Sequence, residues 1–377
     1  MKQRIQIGQT VIPRIGIGTS GFGGFFSSDS NTLDYKNKFI SFFHEVFDSG
    51  IKFIDTAENY ASGYTETLIG LLPKNLKDEF FISTKFNFIA TNQKIIEESL
   101  DKSLKRLDRD YVDLYMPHWP YNGMNSDDLI NIMINFRDKG KIKFLGLSNF
   151  ENQLKKIKNV NEINFFESEL NPYHVDAFNL FSELDNDEKL NKSSFFVGYA
   201  PFKKGLLFNE NSKIYNYFHS KKKYTNLNLS QFILLWILSL SEKILVIPKT
   251  QSISRLKEYL KIYKFSNDLL KEFRELSDGI NFYQTEMIDV NKITMKSDDD
   301  RPIYYNLKDA IENKFGLHPD IIKIASEIKD NDGNLTKPIR LIKDGKSDRF
   351  ICIDGRLKYW AWVYLHGFKS KIPSVIF

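Results

Sequence analysis

Four residues with acid–base side chains end or follow short apolar segments near the start of the chain. The stretch FIDTAENYASG puts Asp55 at the end of a strand-like segment and Tyr60 in the loop behind it, while Lys85 ends FISTK and His118 follows LYMP. Each has a structural explanation alone, since an aspartate can cap a helix and a lysine can lie along apolar surface. Their recurrence on three consecutive predicted strands favours a shared function.

Together these side chains suit proton donation to a carbonyl oxygen. A tyrosine has an ordinary pKa of about 10 and is a poor acid at neutral pH. An ammonium such as that of Lys85 favours the phenolate and lowers the pKa of the tyrosine, and a carboxylate such as that of Asp55 keeps the ammonium charged and in place. A neighbouring histidine can orient the carbonyl by hydrogen bonding. No side chain delivers hydride, so such a site requires a nicotinamide cofactor.

The elements that must position these residues alternate between strand and helix over roughly the first 260 residues. The candidate strands are Arg14–Gly18, Ile51–Ile54, Phe80–Lys85, Tyr111–Met116, Ile142–Leu147, Phe165–Glu169, Phe195–Tyr199 and Ile244–Pro248. One intervening helix carries the residues Ile96, Leu100, Ser103, Leu104 and Leu107 on a single face. This order predicts an α/β fold, a closed (β/α)₈ TIM barrel whose active site lies at the carboxyl ends of the strands. The opening MKQRIQIGQTVIP predicts a hairpin that covers the bottom of the barrel.

Bulk composition excludes several classes of protein. The 53 basic residues are offset by 48 acidic ones, a mixture typical of a solvated surface, so we do not expect nucleic-acid binding. No apolar run approaches the roughly 18 residues of a membrane span, and the N-terminus has no apolar secretory signal. The lone Cys352 excludes an internal disulfide and favours a cytoplasmic location. The six histidines lack HxxxH or HxH spacing, so we expect no metal site.

A second pattern begins near residue 286, after a helix-like segment at Asp268–Leu276. A strand-like IDVNKI precedes helical segments around Asn306–Lys314 and His318–Lys329. The strands PIRLI and RFICI then lead into the helix DGRLKYWAWVYLHG and a closing SVIF. We therefore predict a barrel domain over residues 1–280 and a smaller α+β domain over residues 286–377.

The first domain resembles the aldo-keto reductase superfamily. The ordered motifs are IGIGTSGFG, FIDTAENYASGYTETLIG, SLKRLDRDYVDLYMPHW, GKIKFLGLSNF, ELNPY, GYAPFKKGLL and VIPKTQSISRLKE. The resemblance implies an NADP-dependent oxidoreductase that reduces an aldehyde or ketone to an alcohol. It also implies that Asp55, Tyr60, Lys85 and His118 form the catalytic tetrad, with Tyr60 as general acid.

The resemblance further implies a cofactor site. Ser148 and Asn149 match residues that bind the nicotinamide carboxamide, and Tyr199 matches the aromatic that stacks on the nicotinamide. Lys249 and Arg255 match residues that contact the 2′-phosphate of NADPH, with Glu258 near the adenine. A Lys–Arg pair suits a phosphate, although basic residues also occur at solvated helix starts in so lysine-rich a chain; the family spacing favours NADPH over NADH.

Three positions depart from the family pattern. Glu167, also expected to bind the cofactor, stands where the family usually has glutamine. A glutamate can still accept a hydrogen bond from the nicotinamide carboxamide NH₂ but, when ionised, cannot donate one. Leu170 replaces an aromatic residue and Tyr259 replaces an asparagine often found beside the adenine-contacting glutamate. The variable loops Tyr121–Asp127 and Lys203–Ser212 are expected to line the substrate pocket, but they carry no group that identifies the substrate.

The C-terminal segment resembles the ParB N-terminal-like fold that sulfiredoxin shares, on the order of strand, turn, strand, glycine-led helix and closing strand. The resemblance implies an anion site at Gly355, Arg356 and Lys358. Cys352 precedes the glycine-led turn, which argues against sulfinic-acid repair, and an arginine-rich CTPase box is missing.

Two questions stay open for this C-terminal module. The aromatic residues Trp360, Trp362 and Tyr364 fit either a base-stacking surface or, more often, a core. The module could bind a nucleotide or protein partner, and its fusion to the barrel motivates the hypothesis that it helps to recruit a sugar or nucleotide-linked sugar as substrate. In an alternative hypothesis the chain is a regulatory protein: the barrel only senses NADPH and the module binds a nucleotide or nucleic acid.

Overall fold

The protein is described by a computed structural model over residues 2–23, 32–87, 92–120, 124–210, 212–221, 227–264, 285–296, 303–317, 319–335, 337–345 and 347–377. The chain divides into two compact units. Unit 1 comprises Met1–Phe208 with Ser220–Ile280, and unit 2 comprises Asn209–His219 with Asn281–Phe377. The predicted helix Asp268–Leu276 lies outside the described residues.

Unit 1 contains a hairpin and eight parallel strands. The hairpin strands are β1 (Arg4–Ile7) and β2 (Thr10–Pro13). The parallel strands are β3 (Ile17–Gly18), β4 (Phe53–Asp55), β5 (Phe81–Phe86), β6 (Val112–Pro117), β7 (Ile142–Ser148), β8 (Phe165–Glu169), β9 (Phe195–Tyr199) and β10 (Ile244–Ile247). All eight predicted strands are confirmed. β8 and β9 have the predicted ends, and the other six strands have shifted ends, most at β3, which begins at Ile17 instead of Arg14.

The eight strands form a nearly closed barrel of the TIM type. They are hydrogen-bonded in chain order from β3 to β10. Between the first and last strands, Ile15 forms a parallel bridge with Val246, and the Gly16 N–H donates to the Val246 carbonyl at 2.9 Å. The buried Arg14 side chain strengthens this seam, since its Nε donates to the Ile244 carbonyl at 2.7 Å.

The hairpin fills one end of the barrel. Ile5, Ile7 and Ile12 are buried in one apolar cluster with inward-facing residues of the barrel strands, among them Phe53 and Phe165. These two phenylalanines begin β4 and β8, so the cluster lies at the amino-terminal end of the strands. The prediction that the hairpin covers the bottom of the barrel is confirmed.

Helices occupy the connections between the strands of unit 1, and one helix follows its last strand. They are α1 (Leu33–Asp48), α2 (Tyr64–Gly70), α3 (Lys74–Lys77), α4 (Gln93–Leu107), α5 (Ser126–Asp138), α6 (Asp176–Asn186), α7 (Lys213–Lys221), which runs from unit 2 into unit 1, α8 (Leu229–Leu240) and α9 (Ile253–Leu260). The face predicted for α4 is buried at all five positions, and Asn92 caps its start by accepting from the Ile95 N–H at 3.1 Å. Within the described residues, no helix combines the length and apolarity that a membrane crossing requires.

Unit 2 is built on a mixed five-stranded sheet in the order β11-β15-β13-β14-β12. Its strands are β11 (Thr285–Asp289), β12 (Ile293–Met295), β13 (Ile339–Lys343), β14 (Phe350–Asp354) and β15 (Lys371–Ile376). Its helices are α10 (Leu307–Ile311), α11 (Ile321–Asp330) and α12 (Arg356–His366). Trp360 and Trp362 are buried in its core, which confirms the core interpretation for these two residues, whereas Tyr364 is exposed.

Candidate active site

The inward-facing side chains of the barrel change from apolar to polar at the carboxyl ends of the strands. Alternate residues of a strand point to the same face. Phe53 of the apolar interior is therefore followed on its face by Asp55, and Phe165 by Glu167. On the other strands, polar residues likewise follow the inward-facing apolar residues at even spacing. They are Lys85 on β5, His118 after β6, Ser148 on β7, Tyr199 on β9 and Lys249 after β10. These seven predicted site residues thus share one end of the barrel.

A buried ion cluster lies at the centre of this polar layer. The Lys85 Nζ is 2.6 Å from Asp55 Oδ1 and 2.5 Å from Oδ2, and it donates to the Thr56 carbonyl at 3.1 Å. It is also 3.2 Å from Glu167 Oε1. Burial lowers the pKa of Lys85, but the two carboxyl groups outweigh this effect and hold the pKa above its ordinary value. The ammonium therefore stays charged.

Tyr60 approaches this cluster from the loop after β4. It begins the 3₁₀ segment Tyr60–Gly63, where Ala61 and Ser62 adopt left-handed backbone angles with φ of 49° and 54°. The Tyr60 ring centroid is 5.8 Å from Lys85 Nζ and 5.7 Å from the ring centroid of His118.

The pKa of Tyr60 corrects one expectation. Lys85 lowers this pKa, as the sequence analysis expects, but burial raises it by more, and Asp55 and Glu167 add to the increase. The net pKa lies well above its ordinary value. The phenol therefore keeps its proton at neutral pH, which is the state that a proton donor requires.

His118 is held neutral. Burial, aided by the charge of Lys85, lowers the pKa of His118 to about 3. Its Nδ1 is buried and has no hydrogen-bond partner among the described residues. The adjacent Trp119 lies nearly parallel to the imidazole, with ring centroids 6.3 Å apart, and is 46% exposed. A neutral imidazole can donate one hydrogen bond and accept one.

Asn149 links three elements next to the cluster. Its φ of +63° lies in the left-handed region, which asparagine tolerates better than most residues. Its Nδ2 donates to the His118 carbonyl and to Ser148 Oγ, both at 3.0 Å, and its Oδ1 accepts from the Tyr199 hydroxyl at 2.8 Å. The amide of Asn149 therefore has a fixed orientation beside two of the other residues predicted to bind nicotinamide.

The three residues predicted to bind the other end of the cofactor lie on α9 or just before it. Lys249 and Arg255 are exposed, and Arg255 lies in the first turn of the helix, whose N-cap is Ser252. Glu258 is partly buried, and its backbone carbonyl accepts from Gln231 Nε2 at 2.8 Å. Two cations near a helix start suit a phosphate group.

The other two departures from the family pattern are packing residues. Leu170 is fully buried, and a Cβ on Gly198 would lie 2.8 Å from Leu170 Cβ. Tyr259 is 6% exposed, with its ring 5.3 Å from that of Phe202. Neither residue belongs to the ion cluster.

Sequence reasoning missed a second ion pair after β8. Lys203 Nζ lies 2.9 Å from Glu169 Oε1 and 3.1 Å from His174 Nε2. The signal was present, since Glu169 is the next residue after Glu167 on the same face of the strand. Lys203 begins one of the loops predicted to line the substrate pocket; in the other, residues 121–123 lie outside the described part.

The predicted anion site of unit 2 lies at the start of α12. Gly355 is the N-cap, with a left-handed φ of +85°, and a Cβ there would lie 2.9 Å from Ile339 Cγ2. Arg356 and Lys358 are partly exposed in the first turn. Anion binding at these residues stays a prediction.

Comparison with known proteins gives concordant matches for the barrel. The sequence model of the Aldo/keto reductase family matches residues 14–278. Aldo-keto reductase YhdN of Bacillus subtilis is 34% identical over 149 residues, 36% of this chain and 43% of that protein. Aldo-keto reductase yakc (NADP(+)) of Schizosaccharomyces pombe is 25% identical over 317 residues, 73% of this chain and 91% of that protein.

Solved structures resemble the same part of the chain. The thermostable aldo-keto reductase Tm1743, in complex with the inhibitor epalrestat, is 27% identical with a TM-score of 0.61, and the match covers 72% of this chain and 99% of that one. An aldo-keto reductase from Klebsiella pneumoniae in complex with NADPH is 22% identical with a TM-score of 0.60, and the match covers 74% of this chain and 95% of that one. Because the identity is only 22%, the similarity to the Klebsiella pneumoniae structure is evidence for the fold alone.

The low pKa of His118 generates a prediction for NMR. In ¹⁵N spectra of histidine-labelled protein, we expect the His118 ring shifts to stay constant from about pH 5 to 8, whereas unfolded histidine titrates at about 6.5. His118→Gln assigns the resonance. Because the folded pKa is lowered, the unfolded chain binds this proton more readily, and stability falls as pH drops below about 6.5. A His118 resonance that titrates between pH 5 and 8 would contradict the prediction.

Proposed function

Because the chain belongs to the Aldo/keto reductase family, we propose that it uses NADPH to reduce an aldehyde or ketone to an alcohol, with Tyr60 as general acid. The observation that carries this proposal is the buried Asp55–Lys85 ion pair next to the phenol of Tyr60. A charged ammonium near a protonated phenol stabilises the phenolate that remains after the proton has left.

The roles of the four residues follow from their charge states. Tyr60 enters the reaction protonated because its pKa is raised. Lys85 supplies the positive charge that favours loss of this proton, and Asp55 holds Lys85 in place through both carboxylate oxygens. The neutral His118 donates a hydrogen bond to the carbonyl oxygen and so orients it towards the phenol.

The cofactor proposal rests on the donors and acceptors at the barrel mouth. Ser148, Asn149 and Tyr199 would hold the nicotinamide end, and Lys249 and Arg255 would hold the 2′-phosphate, with Glu258 near the adenine. When bound, NADPH supplies the hydride that the carbonyl carbon receives. The S. pombe relative carries NADP(+) in its name, which supports the choice of cofactor.

Replacing Tyr60 tests the general acid. Tyr60→Phe should lower kcat for aldehyde reduction by about 100-fold or more, since general acids contribute on this scale. The Kd for NADPH, measured by fluorescence titration, should change little. Tyr64→Phe, four residues further on and outside the ion cluster, should keep normal turnover. Turnover by Tyr60→Phe at the wild-type rate would refute the role.

Replacing the two exposed cations tests the cofactor preference. Lys249→Ala and Arg255→Ala should each raise the Kd for NADPH by about tenfold through loss of a charged phosphate contact. The Kd for NADH, which lacks this phosphate, should stay unchanged. Lys257→Ala removes an exposed cation from the same helix and serves as the control. Equal losses for NADPH and NADH would contradict the assignment.

Unit 2 has a separate proposal. The order of strand, turn, strand, glycine-led helix and closing strand supports a ParB N-terminal-like module that binds a nucleotide moiety. A module of this kind fused to a reductase is consistent with a sugar or nucleotide-linked sugar as substrate.

Nucleotide titration of the full chain tests this module. With NADPH saturating the barrel, a nucleoside diphosphate should still bind, and Lys358→Ala should weaken that binding by about tenfold. Lys369→Ala, an exposed lysine of the same unit, should not weaken it. Absence of binding by the wild-type chain in calorimetry would exclude the proposed nucleotide site.

A further inference from the structure

Two carboxyl groups share one ammonium in the barrel mouth. Asp55 contacts Lys85 through both oxygens, and Glu167 contacts it through Oε1 at 3.2 Å. Glu167 is 4% exposed, and its Oε2 is buried without a hydrogen-bond partner among the described residues. If both carboxyl groups are ionised, the cluster carries one unbalanced negative charge in a region that largely excludes water. Such a charge is costly to bury unless another positive charge arrives.

The groups around Glu167 whose pKa values are shifted keep their charge states near neutral pH. Asp55 on β4, Lys85 on β5 and Tyr60 in the loop after β4 interact electrostatically with Glu167, and the same polar layer holds His118 after β6 and Tyr199 on β9. Strand β7 contributes Ser148, followed by Asn149, and neither side chain titrates. The pKa values of Tyr60 and Lys85 are raised and that of His118 is lowered to about 3, so these three keep their charge states from about pH 6 to 9.

Burial shifts the pKa of Glu167 into this interval. Burial raises the pKa most, the charge of Asp55 raises it further, and Lys85 opposes both, with a net value of about 8. At pH 7 the carboxyl group is therefore largely protonated and can donate a hydrogen bond, as a glutamine amide does. Above pH 8 it is largely a carboxylate. A glutamine at this position would be neutral at every pH.

We propose that Glu167 is a titratable carboxyl group that makes the site prefer the oxidised nicotinamide over the reduced one when it is ionised. This inference rests on the proposed function, because it requires the nicotinamide to bind beside Ser148, Asn149 and Glu167. The oxidised ring carries a positive charge, and the reduced ring is neutral. The unbalanced carboxylate attracts only the oxidised ring, and the attraction is stronger in a poorly solvated site than in water.

The proposal predicts that binding of NADP⁺ and binding of NADPH release different numbers of protons. At pH 7, binding of NADP⁺ lowers the pKa of Glu167 and releases a proton into the buffer, whereas binding of NADPH releases none from this group. The affinity for NADP⁺ therefore rises with pH until Glu167 is already ionised in the free protein. An ionised Glu167 favours the products of hydride donation over the reactants.

The ratio of two dissociation constants tests the inference. The Kd for NADPH divided by the Kd for NADP⁺ is measured at about pH 6.5 and 9 by calorimetry, and titration of the 2′-phosphate cancels in this ratio. In the wild type the ratio should rise by about three- to tenfold, since a shift of one pKa unit corresponds to tenfold in affinity. In Glu167→Gln the ratio should stay constant. Glu169→Gln removes a carboxylate that already pairs with Lys203 and should retain the wild-type rise.

Proton release gives a second readout that needs no variant. The heat of binding is measured at pH 7 in buffers of different ionisation enthalpy, which gives the number of protons released. Binding of NADP⁺ should release up to about one proton more than binding of NADPH. A wild-type ratio that stays constant with pH, or one that still rises in Glu167→Gln, would overturn this inference while leaving the proposed function intact. Failure of both NADP⁺ and NADPH to bind would overturn the proposed function and this inference together.

Discussion

The candidate site depends on one buried ammonium. Lys85 is fully buried, and a charge in that environment requires compensation through close, well-oriented partners. Asp55 from the preceding strand provides it through two short contacts, and the Thr56 carbonyl accepts a further hydrogen bond. These partners can reach Lys85 only if β4 and β5 are paired in register, which places Asp55 opposite Ser83. The register of the barrel and the charge state of the site are therefore linked.

Burial and nearby charges together set the charge state of each titratable group around Lys85, and their balance differs from group to group. At Lys85 two carboxyl groups outweigh burial, so the ammonium persists. At Tyr60 burial outweighs the ammonium, so the phenol keeps its proton. At His118 both effects act in the same direction and leave a neutral ring. The outcome is a charged lysine beside two neutral groups that can donate hydrogen bonds to a carbonyl oxygen.

Much of the barrel could be predicted from the sequence because its signals are local. Apolar segments alternate with helical periods, and polar residues at strand ends mark the active end. Distances such as the 3.2 Å between Lys85 and Glu167 could not be predicted, since they depend on how strands far apart in the chain curve towards each other. The pKa of Tyr60 was misjudged for the same reason, because burial is a property of the folded barrel. The sequence of Asn209–His219 also contains no local signal that this segment belongs to unit 2 and not to the barrel.

A glutamate at position 167, where the family resemblance leads us to expect glutamine, has a cost in stability that depends on pH. The pKa of Glu167 is raised from an ordinary 4.5 to about 8, so the folded protein binds this proton more tightly than the unfolded chain does. Its contribution to stability is therefore fully present below about pH 4.5 and is lost as pH rises towards 8. A glutamine would carry no such penalty while filling a similar volume. A positive ring bound beside Glu167 would offset the penalty where it is largest, so the same unbalanced charge that destabilises the folded protein strengthens binding of the oxidised cofactor.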